Sequence, residues 1–174
     1  MKKQSIPANA RDRLTTALFI IYLIVLYWVL LLKLGVRFSY VKKRSVNLVA
    51  FSEPVILTAE NILNVMIFIP LGLYAGILFR RWIFGNKLLF SLLLSLLVEG
   101  LQYIFQLGAF DVTGIVTNTL GGLIGLLLFK GIDKAFNNSI KAQNFINIIA
   151  ATGTVLIILF FVLLKMNLLP IRFQ

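Results

Sequence analysis

The sequence predicts an all-α fold, a polytopic membrane bundle of about five spanning helices. Three observations carry this expectation. The 174 residues are 60% hydrophobic with a mean hydropathy of +0.96, whereas a soluble domain is about 45–50% apolar. The excess falls in long blocks, each near the ~20 residues needed to cross ~30 Å of hydrocarbon. The basic residues sit almost wholly at the ends of those blocks.

The elements follow in order. Residues 1–13 form a basic N-terminal segment with Lys2, Lys3, Arg11 and Arg13. The first span covers 14–34. Its apolar run is too long for a signal-peptide core, and no small-residue cleavage site follows it. The second span covers 61–79 and carries Pro70 in mid-span, where a kink is expected. The third covers 88–106, the fourth 112–129 and the fifth 145–164. Residues 35–60 read as a loop, and 131–144 as a connector on the cytoplasmic side. Residues 14–174 form a single membrane domain, with no internal repeat.

Orientation follows from Lys and Arg in the short loops. Lys2, Lys3, Arg11, Arg13, Arg80, Arg81, Lys87, Lys130, Lys134 and Lys141 fall on one side. Lys33, Arg37, Lys42, Lys43, Arg44, Lys165 and Arg172 fall on the other. The larger group places the N-terminus in the cytoplasm and the C-terminus outside the cell membrane. The net charge of +11 therefore reads as anchoring and topology, compatible with contact to anionic lipid phosphates. No basic face with interleaved aromatics suggests nucleic acid. Tyr22, Tyr27, Trp28 and Trp82 read as core or interface anchors.

The composition also bounds the chemistry. The chain has no cysteine and no histidine. A thiolate nucleophile, a disulfide, a thiolate metal site and the commonest general base are thereby excluded. No cofactor or metal is expected.

Glu99 is the single charged residue of the third span. A carboxylate at bilayer depth costs something like ~3 kcal/mol and by default marks function. Ser91, Ser95, Glu99, Gln102 and Gln106 fall within roughly 80° on a helix. On the second span Asn61, Asn64, Phe68, Gly72 and Gly76 share roughly 120°, and on the fourth Gly114, Asn118, Gly121, Gly122 and Gly125 share roughly 100°. Neighbouring spans are antiparallel, so Asn61, Asn64, Glu99, Gln102, Asp111 and Asn118 all lie toward one membrane surface. These six are the candidate ligand-binding residues. The expected arrangement packs the glycines closely at depth and opens as a polar pocket at that surface, the outer leaflet in the favoured orientation. The competing reading of each amide is structural, a bond to a neighbouring helix worth about 0.6–2 kcal/mol.

Several of these residues resemble a known family. The run from Asn61 to Gly72, NILNVMIFIPLG, is similar to its first signature. The run SLLVEGLQ from Ser95 to Gln102, then Asp111, then NTLGGLIG from Asn118 to Gly125, is similar to its second. Arg44-Ser-Val-Asn47-Leu resembles the segment before the first. Together they resemble VanZ-like membrane proteins, with a core at about 44–129 and an added C-terminal span at 145–164. The resemblance implies antibiotic resistance of one kind: protection of the cell envelope against the lipid-anchored glycopeptide teicoplanin, without the usual change in cell-wall precursor. It supplies no chemical mechanism. One departure stands out: where relatives usually carry Asp just before the fourth span, this chain has Gly114.

Three functions stay open on the sequence. The pocket could bind an amphipathic molecule, either teicoplanin or a lipid-linked cell-wall precursor, with Glu99 facing a cationic group. It could be an enzyme site acting on such a lipid with Glu99 as catalytic acid or base and Asp111 sharing a divalent cation with it. It could serve transport of a lipid between leaflets, although the polar residues cluster near one surface instead of bridging both. Membrane lipids are the expected partners in each case.

Overall fold

The computed structural model describes residues 8–32, 46–51 and 58–165. The basic loop from Arg37 to Arg44 and the C-terminal basic residue Arg172 lie outside them, and so does the side chain of Trp28.

Five helices account for nearly all of the described chain: α1 (Ala8–Leu32), α2 (Ala59–Leu78), α3 (Phe84–Ile104), α4 (Val112–Phe136) and α5 (Ser139–Lys165). Each expected span coincides with one helix. Among the described residues α2, α3 and α4 are long and apolar enough to cross a membrane. Two short strands, β1 (Val46–Asn47) and β2 (Phe110–Asp111), pair in parallel, Val46 opposite Phe110 and Asn47 opposite Asp111. The pairing ties the segment before α2 to the turn between α3 and α4.

The centre of the bundle is the contact of α2 with α4. A Cβ added at Gly125 would strike the Ile69 carbonyl and lie 2.9 Å from the Gly72 Cα. One added at Gly121 would strike the Val65 carbonyl. Backbone meets backbone here, which only glycine permits, and dispersion contacts supply the attraction that water supplies in a soluble core. Around this contact Leu18, Phe19 and Leu26 of α1 close over Phe68, Leu71 and Tyr74 of α2 and Val98 of α3. The Tyr22 hydroxyl donates to the Ile67 carbonyl at 2.9 Å. Tyr22 is thus a core residue, whereas Tyr27 and Trp82 are exposed. The α2 helix runs on through Pro70. Pro70 lines an apolar cavity of about 250 Å³ between α1, α2 and α5.

Two elements differ from the sequence expectation. Residues 131–144 are mostly helix, not a connector. Helix α4 continues to Phe136, and only Asn137 and Asn138 separate it from α5. Asn137 takes the left-handed conformation (φ 46°) that closes a helix. The Asn138 carboxamide oxygen accepts the Ile140 and Lys141 N–H groups at 2.9 and 3.1 Å, capping α5. The polar residues of this stretch mark the end of the apolar run, not the end of the helix. At the other end of α3, Gln106 falls outside the helix and off its polar stripe. It is left-handed (φ 57°), its N–H meets the Tyr103 carbonyl, and the Leu107 N–H meets the Gln102 carbonyl at 2.8 Å. This is a Schellman closure with glutamine in the place glycine usually takes.

The two ends of the bundle carry different polar clusters. At one end, Thr15 of α1 meets Gln143 and Asn147 of α5. Its hydroxyl accepts from Gln143 Nε2 at 2.8 Å and Asn147 Nδ2 at 2.9 Å, and donates to the Arg11 carbonyl at 3.0 Å. Every hydrogen-bonding position of that hydroxyl is used. Arg80, just past α2, reaches across to Ser139 and Gln143. The six residues selected from the sequence lie at the opposite end.

Candidate functional site

The start of α2, the end of α3 and the start of α4 form this end. Thr58 caps α2, its hydroxyl accepting the Asn61 N–H at 3.1 Å. Asp111 caps α4, its carboxylate accepting the Thr113 N–H at 3.0 Å. The same carboxylate oxygen accepts from Asn47 Nδ2 at 3.2 Å, so β1 and the α4 N-terminus share one acceptor. The Thr113 hydroxyl accepts the Phe51 N–H at 3.0 Å, holding the segment after β1 over the same point.

Glu99 is 5% exposed. Its Oε2 accepts the backbone N–H of Asp111 at 3.3 Å. Its carboxyl group lies against Gly114: a Cβ there would strike Oε1 and come within 2.8 Å of Cδ. The glycine that replaces the aspartate expected from the resemblance is therefore the space into which Glu99 fits. One turn deeper, the Ser95 hydroxyl donates to the Ile115 carbonyl at 3.4 Å. Deeper still, Ser91 Oγ lies 2.5 Å from where a Gly122 Cβ would be. The polar stripe of α3 thus runs down a line of small residues on α4. The glycine face of α4 serves two neighbours, Gly121 and Gly125 toward α2, Gly114 and Gly122 toward α3.

Asn118 lies between Gly114 and Gly122 on that line, at i+4 from the first and i−4 from the second. It is 1% exposed, and among the described residues neither its Nδ2 nor its Oδ1 has a hydrogen-bond partner. Each orphaned polar atom of this kind costs about 1–3 kcal/mol. Gln102 is buried as well, while Asn61, Asn64 and Asp111 are partly exposed. Asn64 Nδ2 points to the Thr117 hydroxyl at 3.5 Å, and that hydroxyl donates back to the Thr113 carbonyl at 2.9 Å.

All six sequence-selected residues therefore fall at one end of the α2–α3–α4 group. Glu99 and Asp111 are in direct contact. Three residues were missed: Asn47, Thr113 and Thr117. Asn47 was visible as part of the segment before the first signature, but its partner across β1–β2 was not. Thr113 and Thr117 sit at i and i+4 beside Gly114 and Asn118, a spacing that could have marked them.

Comparison with known proteins gives the family. The VanZ/LLP1 family model matches residues 19–140. The chain is 37% identical over 158 residues to Protein VanZ of Enterococcus faecium, covering 88% of this chain and 96% of that protein. No solved structure matches. The family-model match runs from within α1 to the start of α5 and takes in every residue of the cluster around Glu99, and the chain belongs to the VanZ family.

Proposed function

We propose that this protein lowers sensitivity to teicoplanin by binding an amphipathic molecule, the drug or a lipid-linked cell-wall precursor, at the cluster around Glu99. Asn118 is the observation that carries the reading. A buried carboxamide with both ends unpartnered is costly unless something meets it. It stands one turn below the contact of Glu99 with Gly114. Asn61, Asn64 and Asp111 are partly exposed around the same end of the bundle, so a polar head entering there meets hydrogen-bonding groups from three helices. Exposed Ile62, Leu63 and Met66 on α2, with Val116 and Leu120 on α4, offer an apolar flank for an acyl chain. In this reading Glu99 faces a cationic group of the ligand and the amides set its orientation.

The test is sensitivity to teicoplanin and vancomycin in a susceptible cell-wall-bearing host, with wild type and Glu99→Gln at matched abundance. Wild type should raise resistance to teicoplanin several-fold while leaving vancomycin unchanged, and Glu99→Gln should lose the protection. Undiminished protection by Glu99→Gln would remove Glu99 from the site.

The reading also requires this end to face outward. Gln106 and Asn138 are exposed at opposite ends of the bundle, and the chain has no other cysteine to interfere. In intact cells a membrane-impermeant thiol reagent should label Gln106→Cys and spare Asn138→Cys. The reverse pattern would place the cluster at the inner surface, out of reach of an external drug.

A further inference from the structure

The other end of the bundle holds a second site with different chemistry. A cavity of about 420 Å³ opens there, within the ~300–1,000 Å³ range of ligand pockets. Arg11, Asp12, Arg80, Arg81, Trp82 and Gln143 line it, with the end of α2. The lining carries three arginines and one aspartate.

The arginines are held in three different ways. Arg80 is fixed by neutral oxygens only: Nη2 donates to Gln143 Oε1 at 2.9 Å, Nη1 to the Ser139 hydroxyl at 3.1 Å and Nε to the Ile77 carbonyl at 3.2 Å. Gln143 is itself 2% exposed, and its Nε2 is committed to Asp12 Oδ1 at 3.0 Å and to Thr15. The guanidinium of Arg80 is thus oriented without being neutralised. Arg11 is 9% exposed, and among the described residues its Nε has no hydrogen-bond partner. Its ion pair with Asp12 is long, at 3.6 Å. Arg81 is exposed. Trp82 stacks on Phe79 with ring centroids 4.4 Å apart, and a half-exposed tryptophan at a helix end is an anchor for the membrane–water boundary.

We propose that this cavity binds a phosphate-bearing anion, with Arg11, Arg80 and Arg81 as its ligands. A phosphate accepts several charge-assisted hydrogen bonds at once, and planar guanidinium groups suit it better than ammonium groups do. It would meet the buried Arg11 Nε and balance the surplus positive charge of the lining. The phosphate could belong to an anionic lipid headgroup at the boundary or to a free phosphate compound.

The two sources separate in one experiment on the full-length protein in detergent. Binding of dioleoylphosphatidylglycerol against dioleoylphosphatidylcholine is measured by native mass spectrometry, and binding of inorganic phosphate by calorimetry. Preference for the anionic lipid alone identifies a headgroup, and binding in both arms identifies the phosphate itself as sufficient. In either case Arg11→Gln and Arg81→Gln should each weaken binding about tenfold, the loss of one charge-assisted contact. Lys141→Gln is the control. Lys141 is exposed and lies two residues from both Ser139 and Gln143, on the far side of α5. It removes the same charge and should leave binding unchanged. Among the described residues Arg81 makes no side-chain hydrogen bond or ion pair, so Arg81→Gln decides the matter if Arg11→Gln fails to fold. No binding in either arm, or equal weakening by Lys141→Gln, would overturn the proposal.

Discussion

Gly125→Ala should lower the melting temperature of the purified protein by roughly 5–10 °C. The added methyl has no room. It would strike the Ile69 carbonyl and lie 2.9 Å from the Gly72 Cα, so α2 and α4 would have to move apart along their whole contact. Overpacking of this kind costs about 1–3 kcal/mol, and each kcal/mol is worth about 2–4 °C in a chain of 150–250 residues. Gly100→Ala makes the comparison sharp. It adds the same methyl to α3, where nothing lies within 4 Å. There the better helix propensity of alanine, up to about 1 kcal/mol, has no opposing clash. Gly100→Ala should melt at or above wild type. Equal melting of the two variants would mean that the close approach of α2 and α4 does not set the stability of the bundle.

Gly114→Asp should also destabilise the protein, and Glu99→Ala should relieve most of that loss. An aspartate here asks two carboxyl groups to share one place, since a Cβ at 114 alone strikes Glu99. The added group must expel Glu99 from its contact with Gly114 or hold a second charge beside it in a buried setting, where like charges disfavour one another. Melting of wild type, each single variant and the double variant gives the coupling directly. Neighbours that share one space usually couple by about 0.5–3 kcal/mol. Additive losses would show that Glu99 and position 114 are independent, and that the glycine is not there for the glutamate.

The sequence made Glu99 conspicuous because one charge in a long apolar run has no ordinary structural reason. The antiparallel course of the spans then brought Asn61, Asn64, Gln102, Asp111 and Asn118 to its level without any knowledge of packing. Helical periodicity put the glycines of α4 on one face, but it could not divide that face between two neighbours. The division depends on where α2 and α3 sit. Gln106 was assigned to the stripe because periodicity does not announce where a helix stops, and its left-handed closure has no glycine to reveal it. The α4–α5 boundary was misplaced for the opposite reason: hydropathy marks the end of an apolar run, and a helix can continue into water. The cluster of Thr15, Gln143 and Asn147 joins residues too distant in sequence for any local pattern. Its one visible trace was Ser139, Gln143 and Asn147 at four-residue spacing on a single face.

That last cluster bears on the order in which the molecule is made. Thr15 and Asn147 are 132 residues apart, and at 5–20 residues per second the ribosome takes roughly 7–26 s to travel from one to the other. Through that interval the first helix waits for the last. The residue that waits is a threonine, whose hydroxyl can meanwhile bond the Arg11 carbonyl of its own helix. The two carboxamides sit on the segment that arrives late and finds its partner already present. The shared acceptor is made first, and the two donors that converge on it are made last.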